Sequence, residues 1–204
     1  MGKDMIQQEP QEQRQAAQSL NRGRIVESAL ALLDEVGLEG LSTRRLAAHL
    51  SIKSASLYWH FRNKDALLDA MCSAMIAASL QPLEPGRDGL DWVDWLAEGA
   101  RALRKTALSR RDGARVMARS RPAEEAGRRS IQRHVAILTD CGLSETDALF
   151  ALQTLRRFAI GSALQEQANL AAGNTGRAAV GDEVFEFGLT QITQGLRQSF
   201  ASAR

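Results

Sequence analysis

The side chains best suited to specific chemistry lie in one short stretch, residues 41–64, with the sequence LSTRRLAAHLSIKSASLYWHFRNK. Small, hydroxyl and aromatic side chains in its second half can contact base edges and phosphates of a double helix. An arginine in its first half suits a bidentate contact with guanine. The predicted contact residues are Thr43, Arg44, Ser54, Ala55, Ser56, Tyr58, Trp59, His60 and Lys64. This set predicts binding to double-stranded DNA.

Two short helices joined by a tight turn would position these side chains. Leu46, Ala47 and Leu50 share one face of the first helix, and Ser42 precedes it as an N-cap residue. The second helix is predicted for residues 54–60, with Ser54 as a second cap residue. This is the layout of a helix-turn-helix. A three-helix packing unit with an incidental basic face is the alternative.

Length and composition are ordinary for a globular protein. The chain has 204 residues, 44% of them hydrophobic and 25% charged, with a net charge of +2. Helical periodicity along the whole chain predicts an all-α fold, with Gly37 ending the first helix. We expect a flexible arm at residues 1–20, a DNA-binding domain at 21–66 and a ligand-binding and dimerisation domain at 67–204. Residues 81–89 are predicted to form a linker.

Several classes of function are disfavoured by the residues. The three histidines are scattered, and neither a carboxylate pair nor a glycine-rich phosphate loop is recognisable, so we expect no enzyme, no metal site and no cofactor. Cys72 and Cys141 match no metal or redox spacing and are interpreted as small apolar residues in a reducing compartment. Without a signal peptide or a membrane-spanning run, the expected location is the cytoplasm, with no membrane partner.

The run GLSTRRLAAHLSIKSASLYWHFRNKDALLDAM resembles the DNA-binding domain of the tetracycline-repressor (TetR) family, and LYWHFRNKDALL is its most specific part. The resemblance implies a three-helix head joined by a connecting helix to a larger helical domain. It also implies a homodimeric transcriptional regulator, most simply a repressor that binds a palindromic operator and is released by a small molecule. Two alternatives are a DNA-binding dimer without an effector and an enzyme with a DNA-binding head.

Two late helices, predicted at residues 144–168 and 182–199, carry more apolar surface than one small domain needs to bury. Helix-turn-helix proteins commonly bind as dimers, so we expect these helices to form a four-helix bundle with those of a second copy. The family resemblance implies the same arrangement. The alternative is that both helices only close the core of the monomer.

The resemblance is close to the tetracycline-binding members of the family and includes LSRRDGARVMARSRP at 108–122 and ALFALQTLRRFAIGSALQEQ at 148–167. By this resemblance, Met117 and Gln165 replace a histidine and a glutamate of the drug–magnesium site, and a thioether is a poor ligand for a hard cation. Leu80, Gly99 and Leu103 replace residues that contact the drug. We therefore expect a ligand other than tetracycline–magnesium.

The remaining polar side chains of the implied pocket are Ser120, Arg121, His134 and Arg156. A buried arginine needs an acceptor or an anion, so the expected effector is apolar or aromatic with one acceptor or acidic group. The alternative is that Arg121 caps a helix and Arg156 faces solvent. The predicted ligand-binding residues are Leu80, Gly99, Leu103, Met117, Ser120, Arg121, Pro122, His134, Arg156 and Gln165.

Overall fold

A computed structural model describes residues 21–79, 91–120, 125–176 and 180–200. These segments form nine helices and no strand, which confirms the predicted all-α fold. The predicted arm at 1–20 and linker at 81–89 lie outside the described residues. The helices are α1 (Arg22–Gly40), α2 (Thr43–His49), α3 (Ser54–Tyr58), α4 (Lys64–Ser79), α5 (Trp92–Leu108), α6 (Gly113–Arg119), α7 (Glu125–Asp140), α8 (Glu145–Ala171) and α9 (Gly181–Ser199).

Helix α1 changes direction at Gly37 rather than ending there. Gly37 has φ of 70° and ψ of 175°, and helical hydrogen bonding resumes for one more turn to Gly40. A left-handed φ of this kind favours glycine because a Cβ would clash with the backbone. The kink directs Leu38 and Leu41 into the core, where both are buried.

Side-chain caps begin several helices. The carboxylate of Asp91 accepts from the backbone N–H groups of Val93 and Asp94 at the start of α5. Ser144 Oγ accepts from the N–H of Asp147 at the start of α8 and donates to the Asp147 carboxylate. These bonds satisfy N–H groups that have no partner within the helix.

The apolar core consists of two clusters. The first joins α1, α2, α3 and α4 to buried residues of α6 and α8, among them Met117 and Ile160. The second lies among α5, α7, α8 and α9, and contains Trp95, Leu155 and Phe185. Leu103 of α5 packs against both clusters. The core therefore continues across the predicted boundary at residues 66 and 67, and the division into domains there stays a prediction.

One arginine ties three helices of the second cluster together. The Arg104 side chain on α5 is only 11% exposed, and its Nε and Nη2 donate to the two carboxylate oxygens of Glu166 on α8 at 2.8 and 2.7 Å. Nη2 also donates to Asp182 on α9 at 2.6 Å, and the guanidinium lies over the Phe185 ring. The fork of an arginine suits this bidentate contact.

Within the described segments, no helix is both long enough and apolar enough to cross a bilayer.

Candidate nucleic-acid interface and ligand region

Helices α2 and α3 form the predicted helix-turn-helix. Ser42 caps α2 as expected, accepting from the N–H of Arg45 at 3.2 Å. The turn between the helices is tight: Ser51 adopts φ of 55°, and the N–H of Ile52 donates to the carbonyl of Ala47 at 2.9 Å. Ala47 and Leu57 are both buried in the first core cluster. A small residue at position 47 allows the two short helices to approach closely.

Helix α3 differs in two details from the sequence-based expectation. Its N-cap residue is Lys53, which makes no side-chain capping bond, whereas Ser54 is already the first helical residue. The helix ends at Tyr58 rather than His60, because the N–H groups of His60 and Phe61 both donate to Leu57 in a tight closing turn. Hydrogen-bond geometry, which residue types alone do not reveal, sets both limits.

The outward face of α3 and its closing turn presents large aromatic side chains to solvent. Trp59 is 89% exposed and Tyr58 is 56% exposed. Ser54 and Ala55 are exposed beside them, while Ser56 and His60 are half-buried. Exposed aromatic residues next to small ones on so short a helix indicate a surface that another molecule covers.

The basic residues of this region occupy two kinds of position. Arg44 on α2 is exposed to solvent, and Thr43 beside it is half-buried. Lys64 at the start of α4 is half-buried, with Nζ 3.4 Å from the carbonyl oxygen of Leu38. An ammonium has three donors, so this bond leaves Lys64 able to contact a phosphate. The assignment of the nine predicted residues to DNA stays a prediction.

Two ion pairs and one hydrogen bond to a backbone N–H attach α1 to the segment from Arg110 to Arg115. This segment contains the turn before α6 and the first residues of that helix. Arg110 pairs with Asp34, and Arg115 pairs with Glu39. The hydrogen bond from Arg115 holds the pKa of the Glu39 carboxyl below its usual value. Asp112, itself in the left-handed region with φ of 55°, accepts from the backbone N–H of Leu38 at 2.8 Å. Helix α1 is thereby attached to the rest of the chain at a second place besides α4.

The predicted ligand residues of α6 lie beside α4 and α8. Met117 is fully buried, and its carbonyl oxygen accepts from Arg156 Nη2 at 3.1 Å. Ser120 is half-buried and its hydroxyl bonds to Asp69 at 3.0 Å. Leu80, Arg121 and Pro122, which the sequence also assigned to this region, lie outside the described residues.

The predicted ligand residues on α5 and α7 lie in or beside the second cluster. The His134 ring stacks on Trp95 with ring centroids 5.4 Å apart, and its Nδ1 lies close to the carbonyl oxygen of Ser130. Gly99 and Leu103 of α5 are half-buried. A Cβ built on Gly99 would meet no heavy atom within 4 Å, so open space adjoins this part of α5.

Gln165 lies apart from the other predicted ligand residues. It is exposed on α8, with Nε2 3.4 Å from Asn169. It lines a surface groove of ≈ 480 Å³ between α6 and α8, to which none of the other described ligand candidates contributes. The groove is lined by Asp112, Arg115, Gly161, Leu164, Gln165, Gln167, Ala168 and Ala171. Gln165 is thus apart from Met117, Ser120 and Arg156 in this groove, and the assignment of the ten residues to one ligand site stays a prediction.

Two residues near these sites were missed by sequence reasoning. Gln167 accepts from the N–H of Ala114 and donates to the carbonyl oxygens of Ala107 and Arg110, which fixes the turn between α5 and α6. Cys72 on α4 adjoins Ser120 and Arg156; burial raises the pKa of its thiol, and these two neighbours partly oppose that shift. Cys72 lies four residues after Leu68, so the helical periodicity of α4 already indicates that it shares the buried face.

Helices α8 and α9 leave apolar side chains uncovered. Phe150 is 62% exposed and Phe187 is 70% exposed. Leu170, Val180 and Val184 are exposed as well. A monomer rarely leaves so many large apolar groups in solvent on neighbouring elements, so these helices present an association face.

Comparison with known proteins places both halves of the chain. The profile described as "Bacterial regulatory proteins, tetR family" matches residues 25–71. The profile described as "Tetracyclin repressor-like, C-terminal domain" matches residues 84–181. Tetracycline repressor protein class A from transposon 1721 of Escherichia coli is 39% identical over 197 residues, which cover 87% of this chain and 90% of that protein.

Solved structures show the same likeness. A single-residue variant of TetR from Acinetobacter baumannii AYE, in complex with minocycline, superposes with a TM-score of 0.79 at 37% identity, covering 88% of this chain and 98% of that one. A class A TetR in complex with 5a,6-anhydrotetracycline and magnesium gives a TM-score of 0.74 at 39% identity, covering 91% of this chain and all (100%) of that one.

Proposed function

The chain belongs to the TetR family of bacterial regulatory proteins, and from this premise we propose that it is a homodimeric repressor that binds a palindromic operator. The observation that carries the proposal is the outward face of α3, where Tyr58 and Trp59 stand in solvent beside a capped α2. Two copies of α3 would occupy successive major grooves, about one helical turn of DNA apart.

Contacts of two kinds would fix the dimer on its operator. Arg44, Ser54, Ala55 and Ser56 would contact base edges, and Tyr58, His60 and Lys64 would contact phosphates, with Thr43 and Trp59 completing the surface. Helices α8 and α9 would pair with their copies through the exposed faces that contain Phe150 and Phe187.

A small, mostly apolar molecule other than tetracycline–magnesium would release the repressor. The buried thioether of Met117 supports this, because a hard cation prefers oxygen ligands. The relatives are transcriptional regulators, and we propose that this chain likewise regulates without catalysing a reaction and acts in the cytoplasm, where its DNA is found.

Selection of operator DNA by the purified protein, followed by release assays, tests the proposal. We expect a palindrome to be selected, and at least one apolar or aromatic compound to release it where tetracycline with magnesium does not. Release by tetracycline with magnesium would contradict the proposed change of ligand. A selected palindrome that no compound releases would favour a dimer without an effector, and no selected sequence would contradict the DNA-binding surface.

A further inference from the structure

Two arginines of α5, Arg101 and Arg104, are matched by carboxylates of the same chain. Arg101 on α5 donates through Nε and Nη2 to Glu186, and its Nη1 donates to Glu98 at 2.8 Å. Arg104 is matched by Glu166 and Asp182. Burying a guanidinium is unfavourable unless an anion or several acceptors compensate its charge. For Arg101 and Arg104, carboxylates of the same chain provide this compensation.

Arg156 on α8 is different. It is half-buried, and its hydrogen bond runs from Nη2 to the backbone carbonyl oxygen of Met117 at 3.1 Å. Among the residues that the structure describes, no carboxylate oxygen lies within 4 Å of its guanidinium. Its neighbour Arg157 is exposed and donates to Gln153, so its charge is solvated. The bond to Met117 uses one of the five N–H donors of the Arg156 guanidinium, which leaves the others available to water or to a ligand.

The surroundings of Arg156 combine small polar groups with an apolar wall. Its guanidinium lies close enough to the buried Cys72 to oppose the rise that burial causes in the pKa of that thiol. Ser120 adjoins the same thiol and bonds to Asp69 of α4. Met117, whose carbonyl oxygen accepts from Arg156, is fully buried and belongs to the first core cluster. The three helices that meet here are α4, α6 and α8.

Open space adjoins the neighbouring helix α5. Gly99 is half-buried, yet a Cβ placed on it would have no heavy atom within 4 Å. Leu103, one turn further along, is half-buried against both core clusters. Helix α5 packs against α8, the helix that carries Arg156.

We propose that the effector is an amphipathic carboxylic acid whose carboxylate is bound by Arg156 and whose apolar part lies against α5 beside Gly99 and Leu103. This inference rests on the proposed effector function and specifies the chemistry of the ligand. The planar fork of an arginine fits a carboxylate through two parallel hydrogen bonds. The bound acid would supply the counter-charge that Arg156 lacks. Because Arg156 contacts α6 and lies beside α4, binding there can shift the helix that leads to the DNA-binding residues.

Paired ligands test the proposal on the full-length dimer. Benzoate, naphthoate and a series of aliphatic acids from octanoate to dodecanoate are compared with their carboxamides, by thermal stabilisation and by release of the selected operator. We expect at least one acid to bind, with its amide at least about 10-fold weaker. The variant Arg156→Gln should weaken binding of that acid about 10- to 100-fold, to the level of the amide, because a charged hydrogen bond is lost.

Matched variants separate a binding role from a structural one. Arg157→Gln removes the adjacent arginine and should leave affinity for the acid unchanged. Arg156→Lys keeps the charge without the fork and should bind the acid with intermediate affinity, which provides a second measurement if Arg156→Gln folds poorly. Operator affinity without ligand should be unchanged in Arg157→Gln, whose side chain is exposed and bonded only to Gln153.

The outcomes distinguish the two levels of the proposal. Equal binding of acids and amides, no acid-selective compound in the series, or full acid binding by Arg156→Gln would each overturn the carboxylate site. Release by amides and acids alike would leave the effector function standing. If the protein selects an operator that neither series releases, both the carboxylate site and the effector function lose their support.

Discussion

The carboxylate of Asp112 accepts a hydrogen bond from the backbone N–H of Leu38 across 74 residues of sequence, at an N···O distance of 2.8 Å. Leu38 follows the kink at Gly37 and is buried, so its N–H has lost the helical partner that a straight α1 would give it. Asp112 replaces that partner and holds the start of α6 against α1. This bond is therefore a joint between the DNA-facing helices and the remainder of the chain.

Replacing Asp112 by Ala should lower the free energy of unfolding by about 1–3 kcal/mol, because a buried N–H is left without an acceptor. Alanine also tolerates the left-handed φ at this position poorly. Asp112→Asn keeps an acceptor oxygen and tolerates that φ, so its loss should be smaller. Urea unfolding followed by circular dichroism measures the free energy of unfolding of both variants. An Asp112→Ala variant as stable as the unchanged protein would show that this hydrogen bond does not stabilise the fold.

Gly37→Ala should be destabilising by about 1–3 kcal/mol, since φ there is 70° and the new Cβ would lie 2.9 Å from Asp112 Oδ2. Gly99→Ala is the matched control, because its Cβ meets nothing within 4 Å and alanine favours a helix interior. The control should be neutral or stabilising in the same urea experiment. A similar loss in both variants would mean that the conformation of Gly37 is not the cause.

Trp59→Ala should leave thermal stability unchanged and weaken operator binding at least about 10-fold, because the side chain is 89% exposed and available to DNA. Trp92→Ala should behave in the opposite way. Trp92 is buried against Phe200, so its removal should destabilise the fold by about 3–5 kcal/mol. Anisotropy with labelled operator and a thermal melt separate the two effects; unchanged operator affinity in Trp59→Ala would exclude that residue from the interface.

Phe187→Asp should convert the dimer to a folded monomer, because this 70% exposed ring contributes to association but not to the monomer core. Phe185→Asp, two residues away and buried in the second cluster, should instead unfold the chain. Sedimentation velocity reports the assembly and circular dichroism reports the fold. A Phe187→Asp protein that remains a dimer would place the association face elsewhere.

Acid should destabilise the protein in part through Glu186. The hydrogen bond from Arg101 holds the pKa of this carboxyl below its usual value, so the stabilisation is present above the unfolded pKa of about 4.3 and is lost as pH falls through the lower folded pKa. Unfolding midpoints measured from pH ~5 to ~3 should fall less steeply in Glu186→Gln. Glu183→Gln, an exposed change on the same helix, should leave the slope unaltered.

Local sequence patterns were enough for the helix-turn-helix. The apolar spacing of Leu46 and Leu57 and the cap at Ser42 each act within a few residues, and the structure has both, whereas Gly37 kinks α1 instead of ending it. The limits of α3 were less predictable, because the closing turn at Leu57 depends on how the chain leaves the helix. Short-range propensity therefore fixes the elements more accurately than their ends.

Long-range partners could not be predicted from the same patterns. Arg104 meets Glu166 across 62 residues, and Gln167 meets Ala107 across 60. Nothing in the spacing of either residue identifies its partner, because tertiary packing alone brings the two together.

The continuity of the first core cluster has a consequence for engineering. Residues of α1 and α4 share that cluster with Met117 of α6 and Ile160 of α8. A chimaera that grafts residues 21–66 onto the body of another repressor would set unmatched side chains against each other along this shared layer. Such a transplant should recover cooperative folding when α6 and the facing residues of α8 are transferred together with the graft, so the modular unit for recombination is larger than the DNA-reading segment itself.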